Sequence, residues 1–200
     1  MITAPPTVSD HDPDRLRVAV ADSPARIAQI LDLQRRNHFS QLSEADQDRD
    51  GFVFVRHTVE QLAAMAQRLP QAVLLDDDEV VGYSLCMGPD MRAEIPSLVP
   101  MFEAFDRMPF RGRRLADWEY VVGGQVCVAA GWRGRGLIGR LYRATRDLLP
   151  SSVELCVTEI ALRNEISRRA HYRIGFEPVD RYRDDAELWE VVAWPWRAPG

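Results

Sequence analysis

The sequence predicts a single α/β domain, and three observations carry that prediction. The period of the apolar residues changes within one stretch: residues 126–128 are short, apolar and partly β-branched, whereas Leu137, Leu141, Ala144 and Leu148 recur at helical spacing. The same alternation of strand-like and helix-like segments runs through the rest of the chain. Finally, 200 residues with 46% hydrophobic content suffice for one sizeable core. The domain is expected over residues 15–197, after a flexible, Pro- and Asp-containing lead at 1–14.

In chain order, residues 16–20 alternate in the manner of a half-buried strand. Asp22-Ser23-Pro24 then caps a helix that ends near Arg36, with Ile27, Ile30, Leu31 and Gln34 on one face. Gly51-Phe52-Val53-Phe54-Val55 is an apolar patch after an acidic, Gln-rich segment, and reads either as a short strand or as a substrate-facing loop. Thr58 and Gln61 form a capping box for a helix marked by Leu62, Met65 and Leu69 and stopped by Pro70. Two strands, 72–75 and 80–87, are joined by the turn Asp76-Asp77-Asp78-Glu79. Adjacent carboxylates in a turn are usually just solvated, so no metal is expected there.

Residues 88–117 form a long insertion with several Pro residues and a helix containing Leu98, Met101, Phe102 and Phe105. It is expected to wall an acceptor site. The central strand follows at 118–128, with Gly123-Gly124 marking a bulge or splayed edge where a ligand can approach the backbone. A strand at 153–161, a helix at 165–174 ended by Gly175, and closing strands at 176–182 and 188–194 complete the chain. Trp189, Trp194 and Trp196 are expected as core or dimer contact in preference to an aromatic ligand box.

The turn between the central strand and its helix carries the chemistry. Gly134 and Gly136 let several N–H groups converge on an oxygen-rich anion at a helix N-terminus, and Arg133, Arg135 and Arg140 add positive charge, so a pyrophosphate suits the site. A Walker loop is excluded, because the chain has no Lys. A dinucleotide turn fits poorly: the turn lies late, and Glu154 opens the next strand where an acidic residue should close it. A formal net charge of −5 argues against nucleic acid as a partner. No run approaches the length of a membrane span, and neither secretion nor membrane insertion is expected. Cys86, Cys127 and Cys156 are odd in number, widely spaced and set in apolar runs, which suggests reduced thiols and the cytoplasm.

On these residues the chain resembles the GNAT superfamily of acyl-CoA N-acyltransferases. Arg133-Gly134-Arg135-Gly136-Leu137-Ile138 matches the family's acyl-CoA loop, except that Ile138 replaces a small residue. A second block, with Asn164, Ser167, Ala170, His171, Gly175 and Phe176, follows the family's later motif. The resemblance implies a mixed, mostly antiparallel central sheet of about six to seven strands flanked by helices and splayed at the acyl-CoA site. It implies acetyl-CoA as co-substrate, held by Val126, Cys127, Val128, residues 133–139 including Gly139, and Asn164, Ser167 and His171. The acceptor is expected to be a small-molecule or peptide amine, met by Gln34, Asn37 and Phe52, and a homodimer is a further expectation.

Acyl transfer to an amine needs a base, a donor to polarise the carbonyl and a proton for the departing thiolate. Glu119, on the central strand, is the candidate base, and a backbone N–H near Cys127 or Val128 the polarising donor. His171 stands where the family often has an acidic Tyr, and imidazole titrates near 6.5. Tyr172, one step on, is the alternative, but about 100° of helical rotation separates the two. Asn164 and Ser167 double as helix caps. The rival reading is a non-catalytic acyl-CoA-binding or interaction module; a nucleotide-phosphate enzyme is the third.

Overall fold

The computed structural model describes residues 12–196. Its strands are β1 (Arg17–Val20), β2 (Ala72–Asp76), β3 (Glu79–Met87), β4 (Pro109–Phe110), β5 (Arg113–Arg114), β6 (Tyr120–Val128), β7 (Leu155–Ala161), β8 (Glu177–Arg183) and β9 (Leu188–Pro195). Its helices are α1 (Pro24–Asn37), α2 (Glu44–Asp50), α3 (Val59–Arg68), α4 (Val99–Arg107), α5 (Leu137–Leu148) and α6 (Glu165–Ile174). Seven strands form one sheet in the order β1-β2-β3-β6-β7-β9-β8. Every neighbouring pair in it is antiparallel except β6 with β7, so the mostly antiparallel sheet expected from sequence is present.

Local chemistry accounts for the element ends. Ser23 accepts from the Arg26 N–H and Pro24 opens α1. Thr58 and Gln61 complete the capping box of α3. Leu33 takes the buried position on α1 that Leu31 was expected to hold, beside Ile27, Ile30, Gln34 and Asn37. The acidic segment after α1 folds as α2, capped by Ser43 with Glu44 and Asp46 in its first turn. Having no buried residue, α2 leaves no apolar period to read. The Gly51–Val55 patch is a loop tied to α1's end by one bridge, His38 to Val53. Of the expected lead, residues 1–11 lie outside the described residues, while Pro13–Arg15 form a short turn whose Pro13 carbonyl is held by Arg140.

The core lies on both faces of the sheet. One face packs α1, α3 and α4 against residues such as Tyr83, Leu85, Val122 and Val157. The other packs α5 and α6 around Tyr142, Cys156, Ile160 and Phe176. Within β6 the register shifts between Leu85↔Gln125 and Cys86↔Gly123, which leaves Gly124 as the extra, bulged residue. Pairing of β6 with β7 spans only Tyr120–Val122, and beyond Val122 the two parallel strands part. The bulge and the parting coincide at Gly123-Gly124, where a ligand can reach backbone.

Candidate active site

A cleft of about 620 Å³ opens on the α5/α6 face. The loop after β6 forms its floor: Gly134 and Gly136 have φ of 75° and 72°, a left-handed conformation that glycine adopts freely. A Cβ added at either would meet nothing within 4 Å, so open space lies above both. Gly136 is the N-cap of α5 and offers no side chain, leaving the first N–H groups of that helix without a side-chain cap. Arg143 and Arg173 line the same cleft, and among the described residues neither has a carboxylate partner. An uncapped helix N-terminus and two unpaired guanidinium groups fit the phosphates of coenzyme A.

Where β6 and β7 part, the cleft continues into a slot of about 80 Å³ that passes between the strands. Phe52, Val53, Val126 and Ser167 line both spaces. On the cleft side the slot is bounded by Tyr142, Ser167 and His171. On the opposite side of the sheet it meets Glu159, Phe54, Val55, Leu98, Met101 and Trp189. Thr158 Oγ1 donates to the Gly123 carbonyl at 2.7 Å and holds the last point of contact. Beyond it, the Ala129 N–H donates to the Val81 carbonyl toward β3, so alternation turns the polar groups of Val128 and Val126 to the parted edge. Arg133 Nε donates to the Val128 carbonyl, in keeping with that orientation.

No family model matches the chain, and no curated protein matches it. Solved structures do. One chain of the NatC complex bound to Gag peptide and CoA superposes with a TM-score of 0.60 at 15% identity, covering 91% of this chain and 99% of that one. The ribosomal-protein-S18-alanine N-acetyltransferase from Escherichia coli gives 0.61 at 11% identity, with 92% and 96% covered. An acetyltransferase of the GNAT family from Streptococcus agalactiae gives 0.62 at 12%, again with 92% and 96% covered. The chain has the GNAT acetyltransferase fold. At these identities the likeness is one of fold, and the chemistry must come from the site itself.

Within the GNAT fold, several residues expected at the site do other work. Glu119 precedes β6, is exposed, lines neither space, and has its backbone paired with Glu154, so it is no candidate base. Tyr172 is half turned to solvent and bonds the buried Glu190 of β9, because one helical step carries it away from the slot. Gln34 is 2% exposed and lines neither space. It donates to Gln125 Oε1 at 2.6 Å and accepts the His57 backbone N–H at 2.8 Å. With Gln125 Nε2 donating to the Val55 carbonyl, this network pins the Phe52–Val55 loop against β6. Asn37 lines the cleft, but its Oδ1 is taken by Arg133.

The arginines are also redistributed. Arg133 bonds Asn37 and Val128 and pairs with Asp50 at 3.0 Å, which joins α1, α2 and β6 and leaves little for a phosphate. Arg140 spends its guanidinium on the Pro13 and Leu16 carbonyls. Arg135 lies over Trp132. Cys127 faces β3 through its backbone, so Val126 and Val128, not Cys127, present polar groups to the parted edge. Leu137, Ile138 and Gly139 line the cleft, as do Val126, Cys127 and Val128. Asn164 caps α6 and donates to the Phe52 carbonyl at 2.9 Å, and Phe52 stands between the cleft and the slot.

His171 does reach the slot, in a form unlike the acid expected of it. It is 3% exposed, and burial holds its imidazole down to about 4, hence neutral. Nδ1 donates to the Ser167 carbonyl at 2.7 Å, which leaves Nε2 to accept from the Tyr142 hydroxyl at 2.8 Å. A Cβ at Gly123 would come within 3.2 Å of that same hydroxyl. Sequence reasoning overlooked Tyr142, which looks like one more apolar-face residue of α5, and it overlooked Glu159. Burial pushes the Glu159 carboxyl up to about 8, against the pull of the Tyr182 hydroxyl that bonds it. One signal was available: Glu159 is the lone acid between Cys156 and Ala161 in an otherwise uncharged strand.

Proposed function

We propose that this chain transfers an acetyl group from acetyl-CoA to a primary amine by direct attack within a ternary complex. The observation that carries the reading is the slot between β6 and β7, which joins a phosphate-suited cleft on one face of the sheet to a half-buried carboxyl, Glu159, on the other. Acetyl-CoA would supply the activated thioester carbonyl. Arg143, Arg173 and the N–H groups that open α5 would hold its phosphates, and the parted edge at Val126 and Val128 would pair with its amide-bearing arm and polarise the carbonyl.

Glu159, as carboxylate, would take one proton from the arriving ammonium and so free the nitrogen lone pair. The C–N bond then forms as the C–S bond breaks, and a second nitrogen proton leaves to the departing thiolate. The Tyr142 phenol, whose one hydrogen His171 Nε2 accepts, would donate to that sulfur by turning this hydrogen off the imidazole. The structurally similar NatC complex was solved bound to Gag peptide and CoA, which supports the same reading. We place the protein in a reducing cytoplasm, which suits its three buried free thiols.

Calorimetric titration with acetyl-CoA, using ATP and NAD as controls, tests the first half. Micromolar binding to acetyl-CoA alone is expected, followed by thiol release on adding an amine. Binding without thiol release for any amine would favour the non-catalytic acyl-CoA module; preference for ATP would sink both.

A further inference from the structure

Glu159 does not act alone, an inference that rests on the acyltransferase reading. Its carboxyl lines the slot half-buried, and burial and the nearby Asp184 carboxylate both disfavour its charge. Among the described residues, a hydroxyl from another strand is the group that favours that charge. The hydroxyl belongs to Tyr182, which donates to Glu159 Oε2.

The two residues stand two strands apart, and a bulge brings them to one face. On β9, Val191 lies opposite Glu159 and Trp189 lies opposite Tyr182, so all four side chains share the face that bears α4. Between Pro178↔Val192 and Asp180↔Val191 the register of β8 shifts, and Val179 is the extra residue. Without that residue Tyr182 would fall one step out of phase and point to the opposite face. Pro178, which has no N–H to give the ladder, stands beside the bulge on an edge strand, where it is tolerated.

A phenol has one hydrogen, and this one is spoken for. Burial and the Glu159 carboxylate push the Tyr182 titration far above its usual range, so the hydroxyl stays a donor through neutral pH. Its bond occupies Oε2, whereas Oε1 accepts no hydrogen bond among the described residues. Phe54, Leu98, Met101 and Trp189 form the rest of the slot on this side, and none of them titrates.

We propose that Tyr182 is the positioning residue of the base: by donating to Oε2 it fixes the carboxylate and leaves Oε1 to take the ammonium proton. That proton moves from nitrogen to Oε1, and the Tyr182 hydrogen stays on its phenol.

Tyr182→Phe removes the hydroxyl and keeps the ring. Carbon-13 NMR of the Glu159 carboxyl, assigned by its absence from Glu159→Gln, should show its titration moved up from about 8 by roughly one pH unit. Turnover is read with acetyl-CoA and whichever of isoamylamine, benzylamine and leucinamide reacts fastest. The variant's kcat/KM should be about tenfold below wild type at pH 7 and approach it above the shifted titration, the amine's own titration cancelling in the ratio. Adding Tyr182→Phe to Glu159→Gln should cost no further turnover. A Glu159 titration unmoved by Tyr182→Phe, a kcat/KM ratio constant across pH, or a further fall in the double variant overturns the inference while leaving acetyl transfer standing. Acetyl-CoA binding with no thiol release from any amine removes the transferase reading, and this inference with it.

Discussion

The Tyr142 hydroxyl on α5 donates to His171 Nε2 on α6 at 2.8 Å, and that bond fixes His171 as a neutral acceptor. The side chain that sequence alone nominates as an acid is thereby the group that accepts and holds the Tyr142 hydrogen. The imidazole is held at about 4 against 6.5 in a model peptide, so the stabilisation it contributes is fully present above pH 6.5 and is lost as pH falls through 4. Denaturant titrations between pH 7 and 4 should show this loss, on the order of 3 kcal/mol. His171→Gln, which keeps an acceptor for Tyr142, should lose distinctly less over the same interval. An equal loss would mean that His171 is not the group responsible.

Glu159 gives a prediction of opposite sign. Its carboxyl is raised by burial to about 8 from the ordinary 4.5, so its stabilising contribution is complete below pH 4.5 and disappears as pH rises through 8. Glu159→Gln should therefore be the more stable protein at pH 9. Turnover should move the other way, falling by about 100-fold or more, and the rise of kcat/KM through pH 8 should vanish. A variant that keeps the wild-type pH–rate profile would exclude Glu159 as the base.

Gly136→Val forces a β-branched residue into φ of 72° and places a side chain in the open space above the helix N-terminus. The strain costs roughly 1–2 kcal/mol of stability. Affinity for acetyl-CoA should fall by much more than stability does, read by calorimetry on protein shown to be folded by circular dichroism. Unchanged affinity would remove the anion site from this turn.

Arg143→Gln and Arg173→Gln should each weaken acetyl-CoA binding by roughly tenfold, and reduce its dependence on salt. Arg140→Gln should leave affinity untouched, since that guanidinium holds the Pro13 and Leu16 carbonyls. The three variants measured together at two ionic strengths decide whether geometry or mere proximity in sequence assigns the phosphate contacts.

Tyr172→Phe should turn over acetyl-CoA at the wild-type rate, because its hydroxyl serves the buried Glu190 carboxylate of β9, alongside Arg168 and Arg181 and away from the slot. A loss beyond about tenfold, in steady-state assays, would return Tyr172 to the active site.

The sequence by itself marked the seven strands that form the sheet, the capping box of α3, the glycine turn before α5 and a bulge or splayed edge at Gly123-Gly124. Those features are local: a period, a cap or a left-handed glycine is written in a few neighbouring residues. It also marked Phe52, Val126 and the run from Leu137 to Gly139 as site-lining. Only the tertiary structure decided which charges are free. Arg133 and Arg140 neighbour the anion turn in sequence yet are consumed by Asn37, Asp50, Pro13 and Leu16, while Arg143 and Arg173 come to the cleft from two different helices. Glu119 and Glu159 are both strand-region acids in sequence. The parting of β6 from β7 opens the sheet at Glu159 and leaves Glu119 at a paired end, and burial then sets the protonation of Glu159 and His171. Partnership and desolvation depend on residues distant in the chain, and so they belong to the fold.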